Sequence, residues 1–132
     1  MKKQIKLKEI DVVAAVLKDK KNFLIAKRGF NQSFPSKWEF PGGKVEKGES
    51  FQNALIREIK EELNVTINVL KKIASERVEV KDVIISIHYY YAEIISGTVE
   101  LMEHDDFKWV RKSSFNNFDF IIGDKRILKF LS

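Results

Sequence analysis

No stretch dictates more about this chain than Gly43–Val65, GKVEKGESFQNALIREIKEELNV. Ser50 is a helix N-cap residue type, whose hydroxyl can accept from an otherwise orphaned amide of the first turn. Leu55, Ile56, Ile59 and Leu63 then recur at helical spacing. Together these predict a helix from Ser50 to about Leu63, with that stripe turned towards a core. Three carboxylates, Glu58, Glu61 and Glu62, crowd the last turn and share a face by their three- and four-residue spacing. Like charges so placed oppose a helix by roughly 0.2–0.5 kcal/mol per pair. The negative end of the helix dipole adds about 0.3–1 kcal/mol per charge. A turn that opposes its own folding calls for a cation, and a divalent metal is the obvious one. Asn64 stands where the chain must leave the helix, often in the left-handed conformation, for which asparagine ranks second to glycine.

The donors available for such a metal are few in kind. The chain has no cysteine, and its histidines are His88 and His104 alone. Thiolate and histidine cages are thereby set aside, and oxygen ligation points to Mg²⁺, with Mn²⁺ fitting the same donors. The length of 132 residues suits a single domain, 1–132, and an apolar fraction of 44% with 33% charged residues is that of a soluble globular protein. The net charge of +5 rests largely on lysines of the first strands and their turn (Lys2, Lys3, Lys6, Lys8, Lys18, Lys20 and Lys21). They read as a solvated surface; aromatic residues do not interleave with them, so nucleic acid is not the expected partner. The apolar run Val12–Leu17 is too short for a secretion signal, and no segment approaches the roughly 20 apolar residues that span a bilayer. A cytoplasmic location without membrane association is expected.

Glu9–Lys18 reads as a largely buried strand, Asp19–Asn22 as a turn and Phe23–Arg28 as the returning strand. Gly29–Lys37 is a loop, and Trp38–Phe40 a short extended piece ended by Pro41-Gly42-Gly43. Val65–Val80 and Val83–Ile95 read as two strands meeting near Lys81-Asp82. A short strand over Phe107–Val110 and an amphipathic helix over Asp124–Leu131 complete one compact mixed α/β domain. Gly42 and Gly43 allow a sharp turn and expose backbone carbonyls and amides to a ligand. Lys44 is placed to meet phosphate as a point charge, and Arg57 can fix neighbouring carboxylates bidentately.

Gly43, Glu49, Arg57-Glu58-Ile59, Glu61-Glu62 and Val65 resemble the Nudix box, with Asn64 in place of its last glycine. Trp38-Glu39-Phe40-Pro41-Gly42-Gly43-Lys44 resembles the lead-in of the MutT-like branch, and the layout of the whole chain is similar to small nucleoside triphosphate pyrophosphohydrolases. The resemblance implies an α/β/α sandwich around a mixed β-sheet. It also implies Glu58 and Glu62 as the main Mg²⁺ ligands, with Glu61 binding directly or through water and the Gly42 carbonyl completing the protein's share. Arg57 and Glu49 would form an orienting ion pair. Glu103, from a late loop, would be metal ligand or general base, and Arg28 and Lys44 would meet the phosphates. The implied reaction is attack of water on a bridging-phosphate centre, releasing nucleoside monophosphate and pyrophosphate in nucleotide-pool sanitation and DNA repair.

For the base, Phe40 and Trp38 are candidate stacking platforms, with a place in the core as the alternative for each. Asp124 falls where MutT-like enzymes place a base-reading Asn or Asp, and it could instead N-cap the last helix. A carboxylate accepts hydrogen bonds only, which suits the amino group of cytosine or adenine. CTP or dCTP, modified forms included, or an oxidised nucleotide is therefore expected, although Val83 stands where several relatives carry arginine. Glu103 has the alternative of being a plain loop acid beside Asp105 and Asp106, and His104 is expected on the loop surface. Other readings are hydrolysis of ADP-sugars or dinucleoside polyphosphates, whose usual proline or tyrosine after the box is missing, RNA 5′-end processing, and a non-catalytic nucleotide-binding module. MutT-like proteins occur as monomers and homodimers, and both states fit.

Overall fold

The computed structural model describes residues 7–132; Lys2, Lys3 and Lys6 lie outside the described residues. Strand β1 (Lys8–Asp19) runs through the centre. Strand side chains alternate between faces, and both faces of β1 are covered. Val13, Ala15 and Leu17 pack with Leu55, Ile59 and Leu63 of α1 (Phe51–Leu63). Ala14 and Val16 pack on the other side with Phe23, Phe40, Tyr89, Phe115 and Ile127. Double-sided burial accounts for the unbroken apolar run of β1, which alternation alone would not produce.

β1 pairs in parallel with β6 (Val83–Ser96), from Lys8↔Val83 to Leu17↔Ala92. β6 is antiparallel to β5 (Thr66–Val80), and Lys81 turns the corner with φ 55°. On the other edge β1 forms a hairpin with β2 (Asn22–Lys27), which also pairs with β3 (Trp38–Glu39) and β7 (Asp106–Arg111). A 3₁₀ turn over Lys112–Asn117, helix α2 (Ile122–Ile127) and a second 3₁₀ turn over Leu128–Phe130 cover the face opposite α1. This is the α/β/α sandwich around a mixed sheet that the resemblance implies.

Helix α1 is closed at both ends as its sequence predicts. The Ser50 hydroxyl accepts from the Asn53 amide at 3.1 Å, and Asn64 (φ 55°) donates its amide to the Lys60 carbonyl. Three expectations need correction. Ile56 is 36% exposed, because it lies about 100° round the helix from Leu55 and past the packed stripe. The C-terminal helix starts earlier, at Ile122, and its last turn tightens to 3₁₀ at Leu128. Gly42 and Gly43 do not turn: they form strand β4 (Gly42–Lys44), antiparallel to β1 through Ala14↔Gly42 and Val13↔Gly43. A Cβ on Gly42 would stand 1.9 Å from the Val13 carbonyl oxygen. The glycine serves a close strand approach rather than a left-handed turn.

Candidate active site

Strand β4 carries the last turn of α1 beside it. A Cβ on Gly43 would lie 2.3 Å from Cδ and Oε2 of Glu58, so the bare backbone is a cradle shaped to that carboxylate. Arg57 organises the rest of the turn with its full fork. Its Nε and Nη2 donate to Glu49 at 2.8 and 2.9 Å, and Nη2 also donates to the Lys44 carbonyl at 2.9 Å. Nη1 donates to Glu58 at 2.8 Å and more loosely to Glu61 at 3.3 Å. The guanidinium bonds hold Glu49 down to about 2, and the same pairs raise Arg57. Box and lead-in are therefore tied through one side chain.

Glu62 is placed differently. It is 5% exposed, and its Oε2 has no hydrogen-bond partner among the described residues. Burial first, and then the neighbouring charges of Glu39, Glu103 and Glu58, push its carboxyl up to about 9. Burial also raises Glu58, against the pull of Arg57. Two backbone bonds bring the late loop to this place: Glu100 donates its amide to the Leu63 carbonyl at 2.9 Å, and Met102 donates to the Glu62 carbonyl at 3.0 Å. Glu103 is thereby delivered to the cavity that Glu62 faces.

This cavity, of about 490 Å³, gathers Lys44, Glu62, Glu103, Arg28, Glu39 and Asp124 on its walls. The oxygen donors fit a divalent cation on physical grounds. A buried carboxylate oxygen lacks a partner, a second carboxylate lies in a glycine cradle, and burial disfavours the charged form of both. Among the described residues no three acidic or histidine side chains converge as a ready-made cage. Arg57 holds Glu58 and Glu61, while Glu62 turns into the cavity.

One functional candidate, Glu39, escaped the sequence, and another, His104, was misplaced by it. Glu39 projects from the opposite side of its short strand to Trp38 and Phe40. It accepts from Arg28 Nη1 at 2.8 Å on one oxygen and meets His104 Nε2 at 2.8 Å on the other. His104 is 7% exposed, so the expectation of a surface loop residue is corrected: its ring is drawn inward by the buried carboxylate. The available signal was a lone acid between two aromatics in an extended piece. Arg28 is committed elsewhere than to phosphate in this state, bonding Glu39 and, through Nε at 2.5 Å, the Ser33 carbonyl.

Trp38 is absent from the cavity wall and packs edge-on against Phe118, with ring centroids 5.1 Å apart. Phe40 borders the cavity, but only 3% of it is exposed, between Phe115 and Phe120. The core reading, weighed beside stacking for both rings, is where they are found. Asp124 also borders the cavity while being 2% exposed. One oxygen accepts from the Phe40 amide at 2.7 Å and the other from the Tyr89 hydroxyl at 2.5 Å. It does not cap α2, whose N-cap position is Ile121. Burial and the charge of Glu39 push its carboxyl up to about 7, against those two hydrogen bonds.

Comparison with known proteins places these features in one context. The NUDIX domain family model matches residues 8–131. The chain is 38% identical over 103 residues to the CTP pyrophosphohydrolase of Escherichia coli strain K12, covering 78% of this chain and 76% of the relative. It is 26% identical over 115 residues to the 8-oxo-dGTP diphosphatase of the same strain, covering 86% and 89%. Among solved structures, the E. coli ORF135 protein superposes with a TM-score of 0.83 at 32% identity, over 94% of this chain and 89% of that one.

Proposed function

Given that this chain belongs to the Nudix family as a MutT-like hydrolase of nucleotide pyrophosphate bonds, we propose that its substrate is CTP or dCTP, including modified forms, and that it works with Mg²⁺. The products are nucleoside monophosphate and pyrophosphate. The observation that carries this reading is Glu62, a buried carboxylate with an unpartnered oxygen beside Glu58 and Glu103. Without a cation such crowding keeps Glu62 protonated, and a bound divalent cation would let the carboxylates ionise together. Glu58, Glu61, Glu62 and Glu103, with the Gly42 carbonyl, are the candidate ligands; a divalent cation held there would supply neutralisation of phosphate charge and activation of water.

The chain's own groups supply orientation and binding. Arg57, anchored by Glu49 and the Lys44 carbonyl, holds Glu58 in the cradle above Gly43. Lys44 lines the cavity, where an ammonium suits a phosphate as a point charge. Arg28 spends two of its five N–H donors on Glu39 and the Ser33 carbonyl, which leaves Nη2 to meet a phosphate. Asp124 keeps about half of its roughly four acceptor positions, which suits an exocyclic amino group. The 38% identical CTP pyrophosphohydrolase supports the cytidine assignment.

Incubation with a panel of nucleoside triphosphates and Mg²⁺ tests the reading. Monophosphate and pyrophosphate should form, fastest with cytidine nucleotides, and chelation should stop turnover without unfolding the protein. Release of orthophosphate, or turnover of ADP-sugars in preference, refutes it. Glu62→Gln should lower kcat by orders of magnitude in a folded protein; retained activity removes Glu62 from the metal site.

A further inference from the structure

The catalytic cavity does not end at Asp124. It shares Phe34, Val80, Ile85, Ile87 and Ile121 with a second recess of about 400 Å³, which continues away from the glutamates towards Lys37, Asp119 and Lys125. Among the described residues Phe34 is the one aromatic side chain on the walls of both. It is 55% exposed, whereas Trp38 and Phe40 are locked in the aromatic core. Its backbone is left-handed at φ 51°, and Ser36, after the intervening Pro35, is left-handed too at φ 65°. A bulky side chain seldom occupies that region, and two such residues flanking Pro35 fix the path of the loop.

The loop around it is tied down. Arg28 donates its amide to the Lys37 carbonyl and receives the Ser36 amide on its own carbonyl, and its guanidinium holds the Ser33 carbonyl. The same guanidinium bonds Glu39 on the cavity wall. Phe34 is thus held over the junction by a strut rooted in the site itself. A planar ring left half in water, facing an aliphatic wall across a recess, is matched by a planar apolar ligand group. Resting on the nucleotide reading above, we propose that Phe34 is the stacking platform for the nucleobase, which lies between it and the wall of Val80, Ile85 and Ile121 while the phosphates reach Lys44 and the glutamates. Such stacking is sequence-tolerant, so Phe34 supplies affinity for every base and leaves discrimination to polar groups.

Phe34→Asn keeps a residue that tolerates the left-handed backbone while deleting the ring. It should raise KM for CTP and for other nucleoside triphosphates alike, by about tenfold or more, with little change in kcat. KM for ribose 5-triphosphate, which has no base, should not move. Phe34→Trp should keep KM near the parent value and show fluorescence quenching on CTP addition beyond that of the parent protein. An unchanged KM in Phe34→Asn, an equal rise with ribose 5-triphosphate, or no added quenching in Phe34→Trp overturns the proposal. Quenching in a protein that turns over no triphosphate would sink the pyrophosphohydrolase reading and leave the platform standing. Turnover without quenching would do the reverse.

Discussion

Gly42 and Gly43 are neighbours in one short strand, and alanine at each should fail in a different way. At Gly43 the added Cβ meets the Glu58 carboxylate at 2.3 Å, which must retreat by about 1 Å to reach ordinary contact near 3.4 Å. The obstacle is the end of a flexible side chain, so the fold can absorb it. If Glu58 is a metal ligand as proposed, a displacement of about 1 Å costs catalysis on the order of a hundredfold. Gly43→Ala should therefore lower kcat by about that factor with Tm nearly unchanged. At Gly42 the Cβ would lie 1.9 Å from the Val13 carbonyl oxygen and 2.8 Å from the Ala14 Cα, both backbone atoms of the central strand. Relief there means parting β4 from β1, an overpacking penalty of roughly 1–3 kcal/mol or more. For a chain of this size that is a Tm lowered by about 4–12 °C. Pyrophosphate release and thermal denaturation, measured on both variants, decide the matter. A Gly43→Ala protein that keeps full activity, or one that loses stability as Gly42→Ala does, refutes the cradle.

Arg57→Lys retains a charge but not the fork that reaches Glu49, Glu58 and the Lys44 carbonyl together. Orienting contacts of this kind are worth about 10–100-fold in metal affinity or activity, so Mg²⁺ titration of turnover should show a higher half-saturating concentration, a lower kcat, or both. Asp124 gives a pH signature. Its carboxyl titrates at about 7 folded against 3.8 ordinarily, because burial and Glu39 disfavour its charge. Between those values the folded state keeps a proton that the unfolded state has lost. Its contribution is then fully present below 3.8 and is lost as pH rises through 7. Asp124→Asn retains an acceptor for the Phe40 amide and cannot ionise, so its Tm relative to that of the parent should rise from about pH 4 to about 7 and level off above. Parallel Tm curves for the two proteins would remove the buried titration.

Whatever depends on spacing within one element could be read directly from the residues. Ser50, the Leu55–Ile59–Leu63 stripe and Asn64 set the ends and the packed face of α1, because capping and periodicity are local. The glutamate turn was likewise legible, since its charges oppose the helix that carries them. Ile56 misled because an apolar residue one step outside a stripe looks the same in sequence as one within it. The glycine pair misled because a turn and a close strand approach demand the same missing Cβ.

The rest belongs to tertiary structure. Glu39 and His104 are 65 residues apart and form one buried pair. Asp124 is tied to the Phe40 amide, 84 residues away, and to the Tyr89 hydroxyl. No local pattern can announce such partners, and without them it is impossible to say whether a carboxylate meets water, a ligand or its own chain. The sequence by itself determined the crowded acidic turn and the helix that bears it. Tertiary structure alone decided which aromatics are sealed in the core and that Phe34 stays exposed on the cavity wall, because burial depends on what the rest of the chain packs against each ring.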